Sequence, residues 1–366
     1  MEVQSNIKKS NFTNFLQAGS ILQTSLDQFK VIWGPFSPVD AVETQLSDEK
    51  TVIFQPNFWD FIDHKSASAV MGIQEMVLNR SELIELLKSE ISKETNWNWD
   101  PCTQSDFIEQ FQWSFQQFSS GDLVKTVPII SQQANGSFGF ENLAAALLSL
   151  LNENHYGTTY GIWSDGSGFL GQTPELVAQW DQVNKKLVTM ALAGTAALGN
   201  EALILKDLKI RQEHQIVVND ILSVLEKKMH LESVQVNPTE VLVLKHLTHL
   251  LTQIAILDVE LKQALQILNS LPPTAALGIF PRHEKHYREF QRIGEQQNRN
   301  NFAAPFGFLN RSNLKVVAAI RNFYFSKDSI KIFSGCGVTT ESDLEAELAE
   351  LENKRNSVKR MMGFNQ

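Results

Sequence analysis

Two pairs of segments confine the chain to antiparallel strand pairing. HYGTTYGIWS and GFLGQTPELVAQW flank the turn SDGSG, and LKVVAAIRNFYF and SIKIFSGCGV flank SKD. Each segment is rich in apolar, β-branched and aromatic residues, which is the composition of a strand. A parallel crossover needs about a dozen residues, and turns this short cannot supply it. Neighbouring strands must therefore run antiparallel. Further strands are expected at VIWGPF (31–36), TVIFQPNF (51–58), DLVKTVPIIS (122–131), KLVTMALAGT (186–195, ending at Gly194) and VLVLKH (241–246). Helices are expected over 75–93, 102–119, 140–154, 200–229, 259–269 and 341–362, with NWNWDP (96–101) as a break. No linker or repeat interrupts this order. The reading is a mixed α/β (α+β) fold of layered antiparallel sheets with helices, in a single domain. Residues 1–110 form its irregular N-terminal part, and 111–366 carry the stronger signals.

A chain of 366 residues with 43% hydrophobic and 20% charged residues can build a large core. A net charge of -9 argues against a nucleic-acid surface. An anionic small molecule needs only a few local cations, so it stays open. The two cysteines, Cys102 and Cys336, form neither a metal spacing nor a disulfide framework, and a cytoplasmic setting is the simplest expectation. No apolar run reaches membrane-spanning length, so no membrane span is expected.

The last expected helix carries Leu344, Leu348, Leu351 and Val358 on one stripe. Glu347, Glu350 and Lys354 lie together along its flank. On the helix alone, Glu350 and Lys354 read most simply as a surface pair at i, i+4. In the helix over 200–229, Ile210, Glu213, Val217 and Ile221 share a stripe. A carboxylate there either sits at the stripe's edge or is paired or metal-bound. Two inward carboxylates from two helices could hold one Mg²⁺, which favours oxygen ligands. Gly335 and Gly337 either permit tight packing or let a ligand approach backbone at a helix N-terminus. Arg321, inside an apolar segment, is either at an edge or paired with an anion.

The run LKVVAAIRNFYF…IFSGCGVTTESDLEAELAELENK resembles the signature of the chorismate-utilising enzymes. GDLVKTVPI, FLGQTPELV, ALAGT, RQEHQIVVNDI, LKHL, LPPTAALGIFPR and RNNFAAPFGF match the family in its order. The resemblance covers roughly residues 120–362, and residues 1–110 match weakly. It implies a domain with two pseudo-symmetric halves. Within the family the chain is most similar to the isochorismate synthases, which add water at C2 of chorismate and expel the C4 hydroxyl with Mg²⁺ bound. By that resemblance Lys125 in LVKTV activates the water, and Glu175 in QTPEL protonates the leaving hydroxyl. Glu213 and Glu350 bind Mg²⁺, and Glu347 supports them. Arg321 and Lys354 neutralise substrate carboxylates. Gly194, Thr195 and Gly335 complete the pocket, His246 in KHL lies near the ring, and Ala276 and Leu277 form the Ala-Leu pair of isochorismate synthases. The bare residues would allow a surface lysine at 125 and a strand-end glutamate at 175.

The chain departs from the pattern at four places in three motifs. Pro272 stands where histidine is common, Ala275 where proline is common, and Ala304 where glycine is common. The arginine that often ends the lysine strand is also missing from TVPIIS. These changes bear on loop geometry rather than on acid, base or metal ligands. Ala193 opposes aminodeoxychorismate synthase, which usually has lysine there. Lys125 opposes anthranilate synthase, which commonly has glutamine and takes ammonia from an amidotransferase partner. Salicylate synthase retains the lysine and is opposed only by Ala276-Leu277. A non-catalytic binding protein would have little reason to keep Lys125, Glu175, Glu213 and Glu350 together. The expectation is a monomer with no amidotransferase partner. The residues do not distinguish menaquinone, siderophore or salicylate as the destination of the product.

Overall fold

The computed structural model describes residues 9–65, 68–91, 97–152, 157–197, 199, 204–228, 233–243 and 247–364. Among them two antiparallel sheets lie face to face. The first has nine strands, in spatial order 74–79, 28–33, 19–23, 158–164, 167–173, 322–326, 329–335, 129–135 and 98–99. The second runs 234–236, 247–256, 186–197, 176–181, 313–318, 305–309, 52–54, 69–71 and 37–38, with 240–243 also on 247–256. The layered antiparallel fold expected from the sequence is present.

The two-residue period of a strand explains how the layers bind. Leu22, Ile32, Ile53, Tyr160, Ile162, Phe169, Phe306, Phe308 and Val317 meet between the sheets. Their neighbours Ile21, Val31, Trp163 and Leu170 face the other way, into a core shared with helices Lys9–Gln17, Arg80–Lys88 and Phe140–Asn152. Phe54, Val316 and Leu309 face a third core, under helices Ser105–Ser120, Leu208–Glu226 and Leu261–Ser270. Both faces of each sheet are covered, so the strands read as near-continuous apolar runs rather than clean alternations.

Five expectations need correction. GFLGQTPELVAQW is two strands, Ser167–Thr173 in the first sheet and Leu176–Asp181 in the second. LKVVAAIRNFYF is also two, Asn313–Ala318 in the second sheet and Asn322–Ser326 in the first. Gly171 pairs with Asn322, and Leu176 pairs with Val317, so both chains cross between the sheets side by side. Arg321 is therefore not a strand residue but part of this junction, with φ at 55°. Third, the helix expected over 75–93 begins as strand Gln74–Asn79, and the helix is Arg80–Lys88. Asn79 stops the strand by capping: its side chain accepts from Glu82 N, and Glu82 accepts from Asn79 N. Fourth, the strand after Lys125 is Ile129–Asn135, because Pro128 has no N–H for a ladder. Lys125 and Thr126 make isolated bridges to Phe280 and Val338.

Strand Lys186–Ala197 does not end at Gly194. It continues through a bulge between Ala193 and Thr195, with Gly194 at φ 77°. Strand Leu247–Ile256, unanticipated in the sequence, pairs along it.

Candidate active site

The junction opens into a cavity. Pro174, Glu175, Ile320 and Arg321 line it from the two crossing chains. Strand Lys186–Ala197 adds Leu192 to Thr195, strand Leu247–Ile256 adds His249, and the end of strand Ser329–Gly335 adds Phe333 to Gly337. Helix Leu208–Glu226 contributes Glu213, and helix Leu344–Met361 contributes Glu350 and Lys354. The two loops Ala276-Leu277 and Arg299–Ala303 close the remaining side.

Both helices are started by an aspartate cap. Asp207 accepts from Ile210 N and Asp343 from Ala346 N, each at 3.0 Å. Helix Leu344–Met361 does not follow Gly337 directly, because residues 338–343 intervene, so its N-terminus is not at the glycine turn. Helix Leu208–Glu226 is docked by buried His214, whose ring meets Thr252 Oγ1 at 2.7 Å and Ala193 O at 3.3 Å. Burial holds that imidazole down to about 4, so it is a neutral structural group.

Three lysine–glutamate pairs surround the site. Lys125 Nζ is 3.1 Å from Glu213 Oε1, Lys209 Nζ is 3.2 Å from Glu347 Oε1, and Lys354 Nζ is 2.6 Å from Glu350 Oε1. Lys354 also donates to Gly335 O at 2.8 Å. The pair Glu350–Lys354 is thus a wall of the cavity rather than a surface pair. Lys125 is 1% exposed and stands behind Gly337. A Cβ on Gly337 would lie 2.7 Å from Lys125 Cε and would collide with Glu213 Oε1. A side chain at 337 would thus occupy the space beside the Lys125 amine.

Glu175 is buried, and burial pushes its carboxyl up to about 8, with Lys125 and Lys354 opposing. It therefore holds a proton at neutral pH. Arg321 has no hydrogen-bonding acid among the described residues. Burial brings it down to about 10, against the charge of Glu350. Glu347 is raised by burial first and then by the charge of Glu350.

The oxygen-only donor set of Glu213 and Glu350 suits a hard divalent cation. Both side chains are partly exposed, at 16% and 27%, and both residues line the cavity. No cluster of three His, Cys, Asp or Glu side chains forms a ready metal cage among the described residues. Mg²⁺ keeps waters and takes substrate oxygens beside one or two carboxylates.

The structure brings together Glu175, Gly194, Thr195, Glu213, Ala276, Leu277, Arg321, Gly335, Glu350 and Lys354 on one cavity, with Lys125 and Glu347 behind its wall. His246 lies outside the described residues. The histidine in the wall is His249, three residues further on in KHLTHLL. Its Nδ1 meets Thr195 Oγ1 at 3.1 Å, its Nε2 has no partner among the described residues, and burial keeps it neutral. Sequence reasoning also missed Arg299. It is fully buried, 3.4 Å over the Phe58 ring, and bonded to Gln296 Oε1 and Leu277 O. QNRNNF offered no signal for it beyond an arginine before an aromatic.

Residues 48–363 match the family model described as chorismate binding enzyme. Isochorismate synthase MenF of Escherichia coli (strain K12) is 26% identical over 272 residues, which is 71% of this chain and 60% of that protein. The chain thus spans well under two thirds of the length of this curated relative. The crystal structure of MenF, the menaquinone-specific isochorismate synthase from Escherichia coli, superposes with a TM-score of 0.74 at 19% identity, covering 94% of this chain and 88% of that one. Anthranilate synthase component I from Streptococcus pneumoniae superposes at 0.65 and 17% identity, covering 86% and 81%. The fold is therefore shared by proteins of different titles, and the site residues must carry the functional argument. No described helix is long and apolar enough to cross a membrane.

Proposed function

The chain belongs to the family of chorismate binding enzymes, and from that premise we propose that it acts as an isochorismate synthase, an isomerase that works in the cytoplasm without an amidotransferase. The observation that carries this reading is Glu175. A carboxyl held protonated up to about pH 8 by burial is a proton donor at working pH. It lies in the same wall as Arg321, a cation with no acid of its own. A substrate carboxylate would supply what Arg321 lacks, with a second one near Lys354, which is already paired with Glu350. Lys125 takes a proton from water as the oxygen bonds to C2. The ring double bond shifts, the C4–O bond breaks, and Glu175 gives its proton to the departing hydroxyl. One water enters and one leaves. Ala276 and Leu277 offer the ring an apolar surface.

Glu213 and Glu350 would hold Mg²⁺, with Glu347 behind them. When bound, the ion would supply positive charge for a substrate carboxylate. Glu213→Gln and Glu350→Gln are expected to raise the Mg²⁺ concentration needed for half-maximal activity.

The test is incubation with chorismate and Mg²⁺, with products separated by chromatography. Isochorismate alone is expected, and isochorismate supplied as substrate should return chorismate. Salicylate and pyruvate forming at the rate of chorismate loss would make it a salicylate synthase. Ammonia-dependent anthranilate would move it to a different reaction of the family.

A further inference from the structure

Asp220 lies two turns beyond Glu213 on helix Leu208–Glu226, at i, i+7 and so on the same face. Its carboxylate is fully buried, and its bonds are all to one loop and its anchor. Oδ1 accepts from Arg282 Nε at 2.6 Å, and Oδ2 accepts from Arg282 Nη2 and from the Ala275 amide at 2.7 Å each. Arg282 Nη1 donates to Ser270 O at 3.1 Å. These contacts fasten residues 270–282 at the start, the middle and the end. Inside the loop, the amides of Leu277 and Gly278 both donate to Thr274 O at 2.9 Å. Arg299 Nη2 takes the carbonyl of Leu277 at 3.2 Å from the opposite side. Ala276 and Leu277, which line the cavity, are thus held between the half-buried guanidinium of Arg282 and the buried one of Arg299.

A buried ion pair is weak evidence for stability, because apolar replacements often do as well. Position 275 supplies another reason for this one. Its amide donates to Asp220, and proline has no N–H. The bond from the Ala275 amide to Asp220 is one that a proline could not make.

We propose that Asp220 is a positioning residue for the substrate: with Arg282 and the Ala275 amide it fixes the loop so that Ala276 and Leu277 form the apolar wall of the site. The identity of the ligand rests on the chorismate reading, whereas the clamp itself does not.

Ala275→Pro removes the one donor and leaves the ion pair whole. Asp220→Asn weakens the entire clamp. Each variant is read by hydrogen exchange of amides 276–278 in the free protein, by chorismate affinity in calorimetry, and by KM against kcat. Faster exchange is expected, with Kd and KM rising about tenfold in Ala275→Pro, the size of one hydrogen bond to a charged group. kcat should change less than KM, and Asp220→Asn should move further in the same direction. Unchanged exchange and affinity in folded Ala275→Pro would overturn the proposal. So would a fall in Tm with KM unaltered, which is the mark of a structural role alone. If the wild type binds no chorismate, the functional reading fails while the exchange experiment still decides on the clamp. If Asp220→Asn does not fold, Ala275→Pro carries the test.

Discussion

Arg282 and Arg321 are both half-buried guanidinium groups within reach of the same cavity wall, and they differ in what answers their charge. Arg282 forks onto Asp220. Burial opposes its charge, but the bonds and charge of Asp220 outweigh burial and raise its pKa. Arg321 sits at a left-handed backbone position, lacks such an acid, and is brought down to about 10. Glu350, the carboxylate whose charge acts on Arg321, is already bonded to Lys354. One arginine is satisfied by the protein and shapes the wall. The other keeps its bonding capacity free, and an anionic ligand is the partner that would complete it. Where a fold leaves a charge uncompensated beside a protonated acid, the site rather than the core accounts for it.

The sharpest way to break this contrast is at the base. Lys125→Ala is expected to lower kcat by about 10²–10⁴-fold in steady-state assays, with the fold retained by circular dichroism. Near-normal turnover would remove Lys125 from the reaction. Next comes stability. Arg282→Met leaves Asp220 buried without its cation and should cost about 3–5 kcal/mol in denaturant unfolding. Arg321→Met removes an uncompensated charge and should leave unfolding unchanged or make it harder. If both variants lose stability equally, the two arginines are not different in kind.

Glu175 gives a pH test. Its folded pKa of about 8 lies above the usual glutamate value of 4.5, so the native state holds a proton that the unfolded state has released between those values. Stability should therefore fall as pH rises through that window, by at most about 1.4 kcal/mol per pH unit from this group. Glu175→Gln should flatten that slope and, having no acidic proton to give, should lose kcat at every pH, whereas wild-type kcat is expected to fall only above about pH 8. Smallest is Gly194→Ala. A side chain at φ 77° is expected to cost about 1–2 kcal/mol, with contacts to Ile210 adding strain. A variant as stable as the wild type would show that the bulge relaxes.

Most of the site was legible because its residues sit in short motifs: LVKTV, QTPEL, QEH and the GCG turn. What the sequence hid was the crossing of sheets. LKVVAAIRNFYF reads as one strand because the residues on both sides of Ala319–Arg321 are apolar on both faces, each face being covered by a different core. Nothing local marks the change of sheet, so Arg321 looked like an anomaly in a strand. His249 was hidden by its neighbour, since KHLTHLL offers two histidines and strand Leu247–Ile256 was not foreseen. Asp220 and Arg282 are 62 positions apart, and a long-range pair has no spacing to read.

The claim that Arg321 awaits an anionic ligand is tested most directly by equilibrium binding of chorismate to Lys125→Ala protein, with and without Arg321→Met, at fixed Mg²⁺. Truncating one side of a charge-paired contact typically costs about 2–5 kcal/mol, so affinity is expected to fall by at least about 30-fold. Equal affinity in the two proteins would contradict the account.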